Sequence, residues 1–241
     1  MLRVLVTRAE PQAALTAERI RAQGGEAIVA PVLRVEPVPA DLNLAGAQAL
    51  LFTSTNGVRA FAQVSPERAL PALCVGDATQ FAAQEAGFTQ TQSANGDGEA
   101  LAKLVIEALD PNAGALIHIA GEAIAFDLAQ ALAAHGFKAE RRILYRTIAA
   151  DALPNAIAAR LGDSPPGFDA ILFHSPRGAA VFCALLDSHA PQAFSALTAV
   201  CLSQDVAAAA AASPWKRVRV ADAPREDALL ETLMSLAARE A

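Results

Sequence analysis

The chain has 241 residues, 54% of them apolar and 18% charged, with a mean hydropathy of +0.31. That composition can bury a sizeable core and excludes intrinsic disorder as the main state. Much of the apolar content is alanine, as at 207–212, and no run of about 18 strongly apolar residues occurs, so no transmembrane helix is expected. The net charge of −6, from 19 basic and 25 acidic residues, argues against a surface built for phosphate contacts and so against a nucleic-acid partner.

From the N-terminus, short apolar runs alternate with longer Ala-rich amphipathic stretches. Strands are predicted at 3–7, 26–33, 49–54, 72–76, 115–120, 139–148, 170–175, 198–203 and 217–221. Helices are predicted at 11–23, 57–63, 77–86, 97–108, 122–134, 151–160, 177–187, 204–212 and 225–239. This alternation implies α/β architecture with parallel sheets covered by helices on both faces. The opening run, MLRVLVT, is too short for a secretory h-region and is soon followed by Glu10, so it reads as a strand and the chain as cytoplasmic. Cys74, Cys183 and Cys201 form no C-x-x-C pair, and the four histidines show no ligand spacing, so neither a disulfide framework nor a metal site is expected.

An internal repeat organises these elements. ALLFTSTNGVRAF (49–61) aligns without a gap to AILFHSPRGAAVF (170–182). Each is followed by a similar strand and turn, ALCVGDAT (72–79) and AVCLSQDV (199–206). Upstream, 4–35 parallels 116–146, and in both a helix ends near a glycine, Gly25 or Gly136. The extended segments 31–39 and 141–149 follow those units, and Pro31, Pro37 and Pro39 keep the first away from helix. The expectation is two similar doubly wound parallel-sheet domains joined by a two-stranded antiparallel linker. One domain is continuous, 40–142. The other combines 1–34 with 150–241, and the linker strands are 35–39 and 143–149. A ligand would sit in a cleft between such domains.

The strand-to-helix turns carry the chemistry. Thr53-Ser54-Thr55-Asn56-Gly57, His174-Ser175-Pro176-Arg177-Gly178 and Gly76-Asp77-Ala78-Thr79 each end a strand and open a helix. Their hydroxyls can cap the helices, and the free backbone N–H groups there attract anions at the carboxyl ends of the strands. Gly96-Asp97-Gly98 lacks the third glycine of a dinucleotide fingerprint, because Leu101 takes that place. Ser175 lacks the first glycine of a nucleophile elbow, and its neighbour His174 should point to the opposite face.

The paired T-S-x-N-G and S-P-x-G turns, V-G-D-A-T, the 31–39 segment and I-L-Y-R-T-I resemble uroporphyrinogen-III synthases, with the order and spacing of motifs matching along the whole chain. That resemblance implies a cofactor-free lyase that closes linear hydroxymethylbilane to uroporphyrinogen III with loss of water and inversion of ring D in the interdomain cleft. It implies Tyr145, the single tyrosine, as the group assisting departure of the hydroxyl, and Thr53, Ser54, Asn56, Thr79 and Ser175 as binders of substrate carboxylates. Arg8, after the first strand, joins that set. Further implications are a small-molecule substrate, a transient contact with hydroxymethylbilane synthase, no nucleic-acid or membrane partner, and a monomer. Two departures stand out. The turn Leu202-Ser203-Gln204-Asp205-Val206 has lost a glycine and a threonine, and GEAIAFD (121–127) supplies no arginine where the family often has one. The alternative reading is a non-catalytic two-domain protein that binds an anionic small molecule. A serine hydrolase using Ser175 and His174 is a third.

Overall fold

The protein is described by a computed structural model over residues 1–236. The chain divides into two compact units, one made of Met1–Arg34 with the residues from Ile148 onward, the other of Val35–Thr147. The divisions fall inside two long extended segments, β3 (Leu33–Pro37) and β8 (Ala139–Ala149).

The first unit holds a five-stranded sheet. Its strands are β1 (Arg3–Val6), β2 (Glu26–Val29), β9 (Ala170–Phe173), β10 (Thr198–Cys201) and β11 (Arg217–Val220), in the order β11-β10-β9-β1-β2. Every neighbour pair is parallel. Alternation along the strands sends Leu5, Ile171, Phe173, Ala199 and Cys201 to one core and Val4, Val6, Ala170, Leu172 and Val200 to the other. Helices α6 (Asn155–Gly162), α7 (Pro176–His189) and α8 (Gln204–Ala210) contribute to the first core, while α1 (Gln12–Ala22) and α9 (Glu226–Met234) contribute to the second.

The second unit holds β3, β8, β4 (Ala47–Phe52), β5 (Ala72–Cys74), β6 (Thr91–Ser93) and β7 (Ala115–Gly121), in the order β3-β8-β7-β4-β5-β6. Pairs from β8 through β6 are parallel. Val38 N donates to Leu144 O and Ala150 N to Val32 O, both near 2.9 Å, so β3 and β8 run antiparallel. On one face Leu50, Phe52, Ile117 and Ile119 pack with α2 (Thr55–Val64) and α3 (Asp77–Glu85). On the other, Ala49, Leu51, Leu73 and Leu116 pack with α4 (Gly98–Ala108) and α5 (Leu128–Ala133). Edge-on contacts among Phe52, Phe61 and Phe88 fill the first of these cores.

The structure departs from expectation in three places. The helix expected at 122–134 begins only at Leu128, because Asp127 caps it by accepting from the Gln130 N–H at 3.0 Å. Residues 122–127 are irregular instead. The short polar strand β6 (TQS) and a 3-10 helix over Pro191–Ala196 have no apolar periodicity and were not expected. Of the helix expected at 225–239, residues 237–239 lie outside the described residues. Among the described residues no helix is long and apolar enough to cross a membrane.

Candidate active site

In the second unit the carboxyl ends of β4, β5, β7 and β8 border a pocket of about 250 Å³. Its lining includes Thr53, Ser54, Gly121, Ile124, Phe126 and Tyr145, and no charged residue. Tyr145 reaches it through an irregularity in the β7–β8 ladder. Ala120 faces Ile143, but the next pair is Gly121 with Tyr145, so one residue is skipped. The ring then lies against Gly121, where a Cβ would come within 2.8 Å of Cε2 and Cζ. Only glycine leaves that space.

Ser54 is the hub of the polar wall. It is the extended residue before α2, and its Oγ accepts the Gly57 N–H at 3.0 Å, capping the helix. The same Oγ lies 2.7 Å from the Tyr145 hydroxyl. Gly57 fits because its α-carbon runs close to the Ile119 carbonyl, 3.0 Å from where a Cβ would stand. The arrangement places a phenol, a serine hydroxyl and a helix N-terminus in series, which favours negative charge or a hydrogen-bond acceptor at the pocket end.

Thr53 points to the opposite face of the sheet from Ser54, as successive strand residues must. Its Oγ1 lies 3.1 Å from Nε2 of His118, which is 1% exposed. Burial, reinforced by the charge of Arg141 and opposed by Asp127, pushes the His118 imidazolium down to about 4. His118 is therefore neutral at neutral pH. Arg141, its partner on β8, donates through Nη2 to the carbonyls of Gly121 and Glu122 at 2.6 and 2.5 Å.

Not every expected residue gathers at this pocket. Asn56 sits in the first turn of α2, and Thr79 is buried in α3 at 5% exposure; neither lines it. Ser175 and Arg8 belong to the first unit. Ser175 repeats the Ser54 geometry, accepting the Gly178 N–H at 3.1 Å as the cap of α7. Arg8 is engaged by Glu226 at 2.9 Å. Glu226 also accepts from Thr16 and meets His174 Nε2 at 3.1 Å. Burial alone would raise the Glu226 carboxyl, yet His174, Thr16 and Arg8 together bring it down to about 2. His174 is thus tied to Glu226 and Ser175 to a backbone amide, so no serine–histidine pair forms.

The family model for uroporphyrinogen-III synthase HemD matches residues 14–231. The chain belongs to the uroporphyrinogen-III synthase family. Two solved structures share its fold. A uroporphyrinogen-III synthetase from Helicobacter pylori is 16% identical with a TM-score of 0.67, over 98% of this chain and 100% of that one. A mutant uroporphyrinogen III synthase from Thermus thermophilus is 18% identical with a TM-score of 0.58, over 99% and 100%. No curated protein matches. The family places the chain among enzymes of porphyrin and heme biosynthesis.

For a synthase-family chain, two residues near the site escaped sequence reasoning. His118 reads as one more position in an apolar strand, and only the register of β7 against β4 brings it to Thr53. Arg141 lies in a strand distant in sequence from the 121–127 segment it bonds. Its signal is the β7–β8 pairing, which residue periodicity does not disclose.

Proposed function

We propose that the protein is a uroporphyrinogen-III synthase, a cofactor-independent lyase that cyclises hydroxymethylbilane with loss of water and inversion of ring D. The observation that supports this reading most is the Ser54–Tyr145 pair at 2.7 Å on the wall of an uncharged pocket. In the working polarity, the Gly57 N–H donates to Ser54 Oγ and the Ser54 O–H donates to the Tyr145 oxygen. The Tyr145 O–H is then turned to the departing hydroxyl of the substrate. Donation from Ser54 makes the phenol a better donor than it would be alone. The C–O bond breaks with the electron pair of the pyrrole nitrogen, the oxygen takes the Tyr145 proton and leaves as water, and the pyrrole N–H returns a proton to the phenolate to give the neutral azafulvene.

The resulting azafulvene is reactive, so the protein's main task is orientation. The apolar residues Val75, Ile124 and Phe126 suit the ring faces of a pyrrole. We read Ser54 as the partner of Tyr145 in addition to a helix cap. We assign carboxylate binding to Thr53, Asn56, Thr79 and Ser175 through their side chains and nearby backbone amides, with Arg8 constrained by Glu226.

The reading is tested by generating hydroxymethylbilane in situ from porphobilinogen and following its disappearance with and without the protein. A synthase accelerates it at substoichiometric concentration. A protein that only binds the bilane slows spontaneous closure in proportion to the protein added, and that result would replace the synthase reading.

A further inference from the structure

Four of the ten residues around the pocket, Ala123, Ile124, Ala125 and Phe126, come from the irregular segment that follows Gly121 at the end of β7. An irregular wall cannot hold its shape through a strand or helix ladder, so its anchors decide the shape of the pocket. Strand β8 supplies them at two points. The Tyr145 carbonyl accepts the Glu122 N–H at 2.9 Å. Four residues earlier, Arg141 Nη2 donates to both the Gly121 and Glu122 carbonyls. The Gly121–Glu122 peptide is gripped from both sides by the strand that carries the phenol. Phe126, at the far end of the wall, is stacked on Gly98, where a Cβ would stand 2.6 Å from Cδ1.

Arg141 holds this position at a cost to itself: its Nε is buried with no hydrogen-bond partner. A guanidinium placed only to supply charge would turn to satisfy that donor. Both bonds leave one nitrogen, Nη2, whose two N–H groups are fixed in the guanidinium plane, whereas a lysine ammonium turns freely on a shorter stem.

We infer that Arg141 is a positioning residue that clamps the 121–126 wall against Tyr145 and so governs which way the pocket orients the reacting ring. Its catalytic consequence rests on the synthase reading above, whereas the clamp itself does not.

The test compares R141K and R141Q with the unaltered protein in two assays. In hydrogen exchange, the Glu122 amide in both variants should exchange roughly tenfold faster, while those of Leu50–Phe52 stay as they were. In product analysis with enzyme in excess, both variants should leave a fraction of isomer I that further enzyme does not remove. Loss of folded protein would instead be corrected by adding more. If R141K matches the unaltered protein in both assays, the fixed guanidinium is not what holds the wall, and the inference fails. Unchanged exchange in both variants also overturns it. Absence of isomer III from the unaltered protein would defeat the synthase reading alone, and the exchange result would still judge the clamp.

Discussion

Tyr145 owes its place to a missing side chain. The skipped residue in the β7–β8 ladder brings the ring opposite Gly121, and a methyl group there would enter the ring plane. Gly121→Ala should therefore displace the phenol from Ser54 and lower turnover roughly tenfold or more, with a stability loss of about 1–3 kcal/mol. Steady-state kinetics beside thermal unfolding would check both effects; full activity would show that the ring is not held as described. His118 makes a second prediction. Its folded-state value near 4 lies below the usual histidine value of 6.5, so the unfolded chain binds the proton first. Stability is fully present above about pH 6.5 and falls as pH drops towards 4, by about 3 kcal/mol at most. His118→Asn should flatten that slope in denaturant titrations. His174, also held low by burial, contributes in the same direction and would keep part of it.

At the scale of elements, helix caps organise both units. Ser54 and Ser175 occupy equivalent turns, cap α2 and α7, and are each followed three residues later by the glycine whose N–H they accept. The repeat made this legible in the sequence, since 49–61 and 170–182 align without a gap and hydroxyl caps have a recognisable context. What distinguishes the turns was not legible. In the first unit Glu226, at the start of α9, reaches back to Arg8, Thr16 and His174. In the second unit Thr53, equivalent to His174, meets His118, and Ser54 meets Tyr145. Both partners come from distant elements, and residue spacing carries no information about them. The helix expected at 122–134 failed for a related reason. Its Ala-rich composition suits a helix, but Asp127 provides the cap and the preceding residues serve the pocket wall. Glu226 yields a third prediction. Its carboxyl is lowered to about 2, so its stabilising effect exists above about pH 4.5 and is lost as pH falls from there towards 2. Glu226→Gln should cost about 1–3 kcal/mol at neutral pH and flatten the acid limb of the unfolding curve, because partly buried Arg8 loses its counterion. An acid limb identical to that of the unaltered protein would show that Glu226 is not the group responsible.

At the scale of the whole molecule, each unit is a predominantly parallel sheet with two apolar cores, and each presents its hydroxyl-capped turns at the carboxyl ends of the strands. The αβ alternation and the buried strands at 49–52 and 170–173 were readable because a sheet covered on both faces needs near-continuous apolar runs. The edge strand β6 was not, since its three polar residues owe their conformation to pairing with β5. The second unit alone joins a phenol, its hydroxyl partner and an uncharged pocket. We propose that Tyr145, set by Ser54, assists loss of water so that ring closure proceeds with inversion. The most direct measurement supplies hydroxymethylbilane made in situ from porphobilinogen, oxidises the products, and separates the porphyrin isomers for the unaltered protein and Tyr145→Phe in parallel. Predominantly isomer III is expected from the unaltered protein, and a rate roughly a hundredfold lower from the variant, which keeps the ring but not the donor. Isomer III formed equally fast by the variant would contradict the role of Tyr145, and isomer I at the protein-free level from both would contradict the synthase activity itself.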